Sequence, residues 1–141
     1  MGISSRPRAG EPVKFVSKGW GYEKWIVNCE KYCGKILFLA KGKKCSWHYH
    51  RKKDECGFLI SGKLLIRYDN GKGKLVEKVL QKGDCFHFPP FFVHQEEAIT
   101  DCEIFEVSTP HFNDRVRVEE KYGLKENGGL KTTKKSEIIE K

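Results

Sequence analysis

The stretch Gly42-Lys43-Lys44-Cys45-Ser46-Trp47-His48-Tyr49-His50-Arg51-Lys52-Lys53-Asp54-Glu55-Cys56-Gly57-Phe58-Leu59-Ile60-Ser61-Gly62 decides how this chain is read. Trp47–His50 has the composition of a strand, and side chains two apart on a strand face the same way. His48 and His50 therefore project together. Glu55 opens the next apolar run after the charged loop Arg51–Asp54, so a hairpin brings its carboxylate back beside the two imidazoles. A fourth donor, His94, follows Pro89-Pro90-Phe91-Phe92-Val93. Two imidazoles and one carboxylate form the facial set that non-haem iron and related divalent ions favour, and a third imidazole still leaves open positions on an octahedral ion. An open position lets a metal bind substrate or activate water instead of only stapling a fold. A single strand histidine is more often a core or surface residue; the pattern as a whole carries the signal.

Outward from this stretch the texture is uniform. Short runs rich in β-branched and aromatic residues follow one another: Val13–Val16, Glu23–Asn28, Lys35–Ala40, Cys45–His50, Glu55–Ser61, Lys63–Tyr68, Lys74–Leu80, Asp84–Pro89, Val93–Ala98 and Cys102–Ser108. Glycine-bearing turns separate them, and no amphipathic helix intervenes. Many short strands at near-regular spacing indicate an all-β sandwich or barrel. Asn70-Gly71 is a hairpin signal because both residues tolerate positive φ. The organisation expected is a polar N-terminal arm over 1–12, a barrel over 13–123 and a polar, lysine-rich C-terminal tail over 124–141.

Composition narrows the class. The 141 residues carry 27 Lys and Arg against 19 Asp and Glu, a net charge of +8, with nine Phe, five Tyr and three Trp to fill a core. The longest apolar stretch, Ile36–Ala40, is far short of the roughly 20 residues a membrane-spanning helix needs. The first residues hold no signal-peptide core, so a soluble, cytoplasmic protein with no membrane partner is expected. The six cysteines then read as reduced thiols, several of them small core residues, with Cys85 and Cys102 inside apolar runs. Lys41, Lys43, Lys44, Arg51, Lys52 and Lys53 cluster on the loops at the site's entrance. They suit an acidic or phosphorylated small molecule better than nucleic acid, for which no known module is present.

The motif Gly42, five residues, His48-x-His50, four residues, Glu55, six residues, Gly62 resembles the first signature of the cupin superfamily, with every position filled. Gly83, five residues, Pro89 resembles the start of the second signature, whose metal-ligand histidine falls on His94. Phe91 stands where that signature usually has its turn glycine, and Ala98 replaces its terminal asparagine. The resemblance implies a double-stranded β-helix of jelly-roll type, with His48, His50, Glu55 and His94 as ligands to one divalent ion (Zn, Mn, Fe, Ni or Co). Gly19-Trp20-Gly21-Tyr22-Glu23 and Val116–Gly123 are similar to the entry and ending of the cupin domain in type II mannose-6-phosphate isomerases. A homodimer is a further expectation from the family.

That likeness implies a metal-dependent isomerase or epimerase acting on a sugar phosphate or related carbohydrate. Such a reaction needs a Lewis acid and a general base near neutral pKa. His87 and Glu106, on strands flanking the site, are the candidate bases or orienters, and Lys35 a candidate to stabilise negative charge or hold a phosphate. Arg117 is a candidate for the substrate anion. Most aromatics read as barrel packing; Tyr22 and Phe92 are the candidates for substrate contact, Phe92 by flanking His94 at the mouth. Two other classes use the same ligands: a non-haem iron oxygenase, and a non-catalytic carbohydrate-binding cupin. One fold hosts many functions, so the site must decide.

Overall fold

The computed structural model describes residues 9–72, 74–111 and 114–118. The expected arm and tail fall largely on 1–8 and 119–141, outside the described residues. Among the described residues the structure is entirely β. In chain order the strands are β1 (Lys14–Lys18), β2 (Gly21–Asn28), β3 (Cys33–Leu39), β4 (His48–His50), β5 (Glu55–Ser61) and β6 (Lys63–Asp69). They continue with β7 (Leu75–Gln81), β8 (Cys85–Phe88), β9 (His94–Ala98), β10 (Cys102–Ser108) and β11 (Arg115–Arg117). Two antiparallel sheets form, one ordered β1-β2-β3-β10-β5-β8 and the other β11-β4-β9-β6-β7. From β3 onward the chain crosses between the sheets at each step except the β6–β7 hairpin, in the jelly-roll manner. Among the described residues no helix is long and apolar enough to cross a membrane.

Alternation along each strand sorts the side chains. β10 buries Cys102, Ile104, Glu106 and Ser108 and turns Phe105 and Val107 outward; β5 buries Glu55, Gly57 and Leu59. Leu37, Leu39, Leu59, Leu64, Ile66, Leu80, Phe88, Ala98, Cys102 and Ile104 make one apolar core between the sheets. This core occupies one end of the barrel, and polar inward-facing residues occupy the other. The division is visible on single strands: inward positions run from Glu55 to Leu59 on β5 and from Glu106 to Ile104 on β10.

Several sequence expectations shift. β11 was not foreseen, because Arg115-Val116-Arg117 is too short to show a periodicity; it is held by pairing with β4. The turn after β6 is a five-residue loop closed by Asn70 N–H to Lys74 O at 3.0 Å, with Gly71 at φ 85, instead of a two-residue hairpin. Cys85 is exposed and so is not a core thiol, since Phe86 and Phe88 turn inward from β8 and their neighbour must turn out; Cys33 and Cys102 are buried. Gly62 sits at φ +93 in the β5–β6 turn, where a Cβ would run into the Asp101 carbonyl. Phe91, in the place of a turn glycine, keeps the glycine conformation at φ 73, an outlier for a bulky residue. Its N–H donates to His50 O at 2.7 Å, tying the loop before β9 to the end of β4.

Candidate metal centre

The polar end of the barrel is assembled from three strands. β4 supplies His48 and His50, β5 starts with Glu55, and β9 starts with His94, the ladder partner of His48. All four are buried, His94 to 1% exposure. Ring centroids lie 4.4 Å apart for His48 and His94, 5.1 Å for His48 and His50, and 6.1 Å for His50 and His94. The three histidines offer ring nitrogens within 4.8 Å of one another, and Glu55, His94 and Glu96 form a second such trio.

Each imidazole is oriented by a hydrogen bond on its far nitrogen. Nδ1–H of His48 donates to Ser46 O at 2.7 Å, that of His94 to Phe92 O at 3.0 Å, and that of His50 to Asp114 Oδ1 at 2.9 Å. With Nδ1 committed as a donor, Nε2 carries the lone pair, the tautomer a metal requires. His94 Nε2 is buried with no hydrogen-bond partner. Glu55 Oε2 lies 2.9 Å from His50 Nε2 but outside hydrogen-bond geometry. Buried polar atoms are normally satisfied, so a ring nitrogen and a carboxylate oxygen left open in one buried cluster fit a divalent cation.

Protonation agrees with that fit. Burial, helped by the neighbouring His94 and Arg115, holds His48 well below the usual imidazole range. Burial brings His94 down to about 4 against the pull of Glu55. Both are neutral at physiological pH, as ligands must be. Burial would raise Glu55, but Lys53 and the His50 contact outweigh it and hold the carboxyl well below its ordinary value. Glu96 is pushed up to about 8 by burial and then by Glu55 and Glu106.

Behind the imidazoles lies a buried ion network. Lys53 Nζ is 3.3 Å from Glu106 Oε2 and 4.0 Å from Glu55 Oε2. Lys35 Nζ is 3.2 Å from Glu23 Oε1 and 4.9 Å from the Trp25 ring centroid, and Lys35 is the ladder partner of Glu106. Burial opposes the Lys53 charge, yet Glu106 and Glu55 raise its pKa, so it is a fixed cation. Burial raises Glu106 against the effect of Lys53.

The structure thus brings His48, His50, Glu55 and His94 together, with Glu106 and Lys35 in the ion network behind them. Arg117 lies on β11 opposite His48. Three candidates, Tyr22, His87 and Phe92, are elsewhere. Tyr22 neighbours the inward Glu23 and so turns to the outer face, where it stacks on Phe38 at 5.1 Å. His87 alternates with the inward Phe88 and pairs with Asp54, both about half exposed. His87 and Phe92 line a separate cleft of about 290 Å³ with Tyr68 and Phe88. Phe88 stacks at 4.0 Å on His94 and so stands between this cleft and the imidazoles.

Sequence reasoning missed Glu96, Lys53, Asp114 and Arg115. Glu96 was within reach, being two residues past His94 on a strand. Lys53 sits in a run of exposed lysines, yet it is 8% exposed and belongs to the interior network, not the entrance patch. Asp114 lies 64 residues from the histidine it holds, with no local signal.

A β-barrel whose interior gathers three imidazoles and a carboxylate defines a class of protein able to hold a metal. The Cupin domain family model matches residues 36–108; this chain belongs to the cupin family. It is 35% identical over 54 residues to "Probable germin-like protein subfamily 2 member 5" of Arabidopsis thaliana, covering 38% of this chain and 25% of that protein. Its fold is similar to the capsular polysaccharide assembling protein CapF of Staphylococcus aureus, at TM-score 0.67 and 18% identity over 75% of this chain and 32% of CapF. Oxalate decarboxylase of Bacillus subtilis matches at TM-score 0.67 and 19% identity, covering 77% of this chain and 30% of that one. KdgF from Halomonas sp. matches at TM-score 0.60 and 14% identity, covering 72% and 91%. The chain therefore spans about a quarter to a third of the first three proteins and most of KdgF.

Proposed function

We propose that this cupin is a metal-dependent isomerase or epimerase acting on a phosphorylated or acidic carbohydrate, of the mannose-6-phosphate isomerase type. The observation that carries the reading is the convergence of His48, His50, Glu55 and His94 beside a second, buried acid–base system, Lys53 with Glu106. The description of the S. aureus relative as a capsular polysaccharide assembling protein supports a carbohydrate ligand, and the Mn(II) centres of the B. subtilis decarboxylase support a divalent metal.

A divalent ion held by the four residues would polarise a substrate carbonyl as a Lewis acid. The chain's own groups do the rest. Glu106, its pKa raised by burial, takes a proton from the carbon next to the carbonyl and returns it to the neighbouring carbon, or to the opposite face of the same carbon. Lys53, held at 3.3 Å, orients that carboxylate and balances its charge. Lys35, paired with Glu23 and laddered opposite Glu106, adds positive charge beside that carboxylate. The apolar core beneath closes the far end of the barrel to water.

The test is incubation of metal-loaded protein in D₂O, without oxygen, with mannose 6-phosphate and a panel of sugar phosphates and hexuronates. Deuterium wash-in at the carbon beside the carbonyl, lost in Glu106→Gln, is expected. Substrate loss only with oxygen uptake would make the protein an oxygenase. Saturable binding with no exchange would leave a binding cupin.

The homodimer reading rests on the outer face of the six-stranded sheet. Phe15, Lys24, Ile36, Phe105, Phe58 and Cys85 form one ladder row across all six strands. Phe15 is 58% exposed and Phe58 45%. Lys24 and Glu103 share this face, so a two-fold axis can pair each with the other's copy. Light scattering should show a dimer that Phe58→Lys dissociates; a monomeric wild type would refute it.

A further inference from the structure

β11 was invisible in the sequence, yet it lies against the imidazole strand: Arg115 is the ladder partner of His50, and Arg117 of His48. Directly paired residues present their side chains on the same face, so both arginines lie on the imidazoles' side of the sheet. The Nε of each is buried and has no hydrogen-bond partner. Asp114, Glu106 and Glu55 are already engaged, which leaves Glu96 as the further carboxyl of the cluster. Asp114 Oδ1 takes His50 Nδ1–H, and Asp114 Oδ2 takes the amides of Lys52 and Lys53 at 2.9 and 2.7 Å. Glu106 Oε2 takes Lys53, and Glu55 Oε2 packs against His50.

A guanidinium is charged at every accessible pH and is a poor group to bury without an anion. A divalent ion on the neighbouring imidazoles adds like charge, with Glu55 the only carboxylate among the four ligands to offset it. A guanidinium takes an oxyanion best as a two-oxygen fork.

We infer that Arg115, with Arg117 beside it, is the binding group for an oxyanion of the ligand, a carboxylate or phosphate, held between the guanidinium and the metal cluster. The inference rests on the metal-site reading and names the residue that selects an acidic substrate.

The probes are glycolate, inorganic phosphate and, as a neutral counterpart of glycolate, ethylene glycol, titrated calorimetrically into manganese-loaded and metal-free protein. Wild type should bind at least one anion and not ethylene glycol; which anion binds tells carboxylate from phosphate. Arg115→Gln should weaken that binding at least tenfold and Arg115→Lys by less, both at unchanged metal content. Anion binding within twofold of wild type in Arg115→Gln, ethylene glycol bound as tightly as glycolate, or no anion bound would each overturn the inference. Should Arg115→Gln fail to fold, Arg115→Lys decides, since loss of the two-oxygen fork must still weaken binding. A wild type that takes up no metal refutes the metal-site reading instead, and the metal-free titrations then judge Arg115 alone.

Discussion

Asp114→Asn probes how the site is held without touching a ligand. Asp114 accepts three hydrogen bonds, from His50 Nδ1 at 2.9 Å and from the amides of Lys52 and Lys53 at 2.9 and 2.7 Å. These bonds, against the opposing effect of burial, hold its pKa down at about 2, so the group is a carboxylate at any working pH. Asparagine has the same shape but one acceptor oxygen, and its NH₂ would face a donor. Either His50 loses its anionic partner or the loop 52–53 loses its anchor. Removing such a partner behind a metal-bound imidazole typically costs about 10- to 100-fold in affinity, or about 1.4 to 2.7 kcal/mol. Competition with a chelating dye should show that loss for manganese or zinc, at unaltered circular dichroism. In a His50→Ala background the same change should cost less than twofold, because Asp114 acts through His50. Affinity within twofold of wild type in the Asp114→Asn single variant would refute the reasoning. So would a full loss in both backgrounds, which would make Asp114 a general fold determinant.

Glu55→Gln should weaken metal retention far more than Asp54→Asn, because Glu55 faces the cluster and Asp54 pairs with His87 outside it; metal content after dialysis decides, and a more sensitive Asp54 would place the ligand one residue off. In metal-free protein Glu96 keeps its proton up to about pH 8, whereas the unfolded chain gives it up near 4.5. Ionisation therefore costs stability as pH rises between those values, by several kcal/mol at most, and Glu96→Gln should gain on wild type from pH 5 to pH 8 in urea unfolding. A pH-independent difference would deny the burial of Glu96 beside Glu55. His94 has the opposite sign, its proton-free fold losing stability as pH falls from 6.5 toward about 4. Phe91→Gly should be neutral or stabilising by up to about 1 kcal/mol, since φ 73 suits glycine and the ring is 68% exposed; a loss above about 2 kcal/mol would mean that the ring's packing near Tyr49 outweighs the backbone strain.

The legible part of this molecule is what alternation and spacing encode. His48-x-His50 and the run from Glu55 to Leu59 show inward and outward faces directly, and their pattern led to the barrel and the four donors. His94 was reachable because it heads a strand behind a proline turn. The same alternation, applied to His87 against Phe88 and to Tyr22 against Glu23, would have turned both away from the cavity. Other features depend on contacts far apart in the chain. The strand Arg115–Arg117 exists through pairing with β4, and Asp114 finds His50 across the fold. Lys53 looks like its solvated neighbours until Glu106, carried by a distant strand, meets it in the interior.

The central claim is that His48, His50, Glu55 and His94 hold one divalent ion, and the direct measurement is elemental analysis after equilibrium dialysis against limiting metal. Wild-type protein should retain metal stoichiometrically, and the folded His48→Ala/His50→Ala double variant should retain almost none. Equal content in the two proteins, or none in either, would contradict the account.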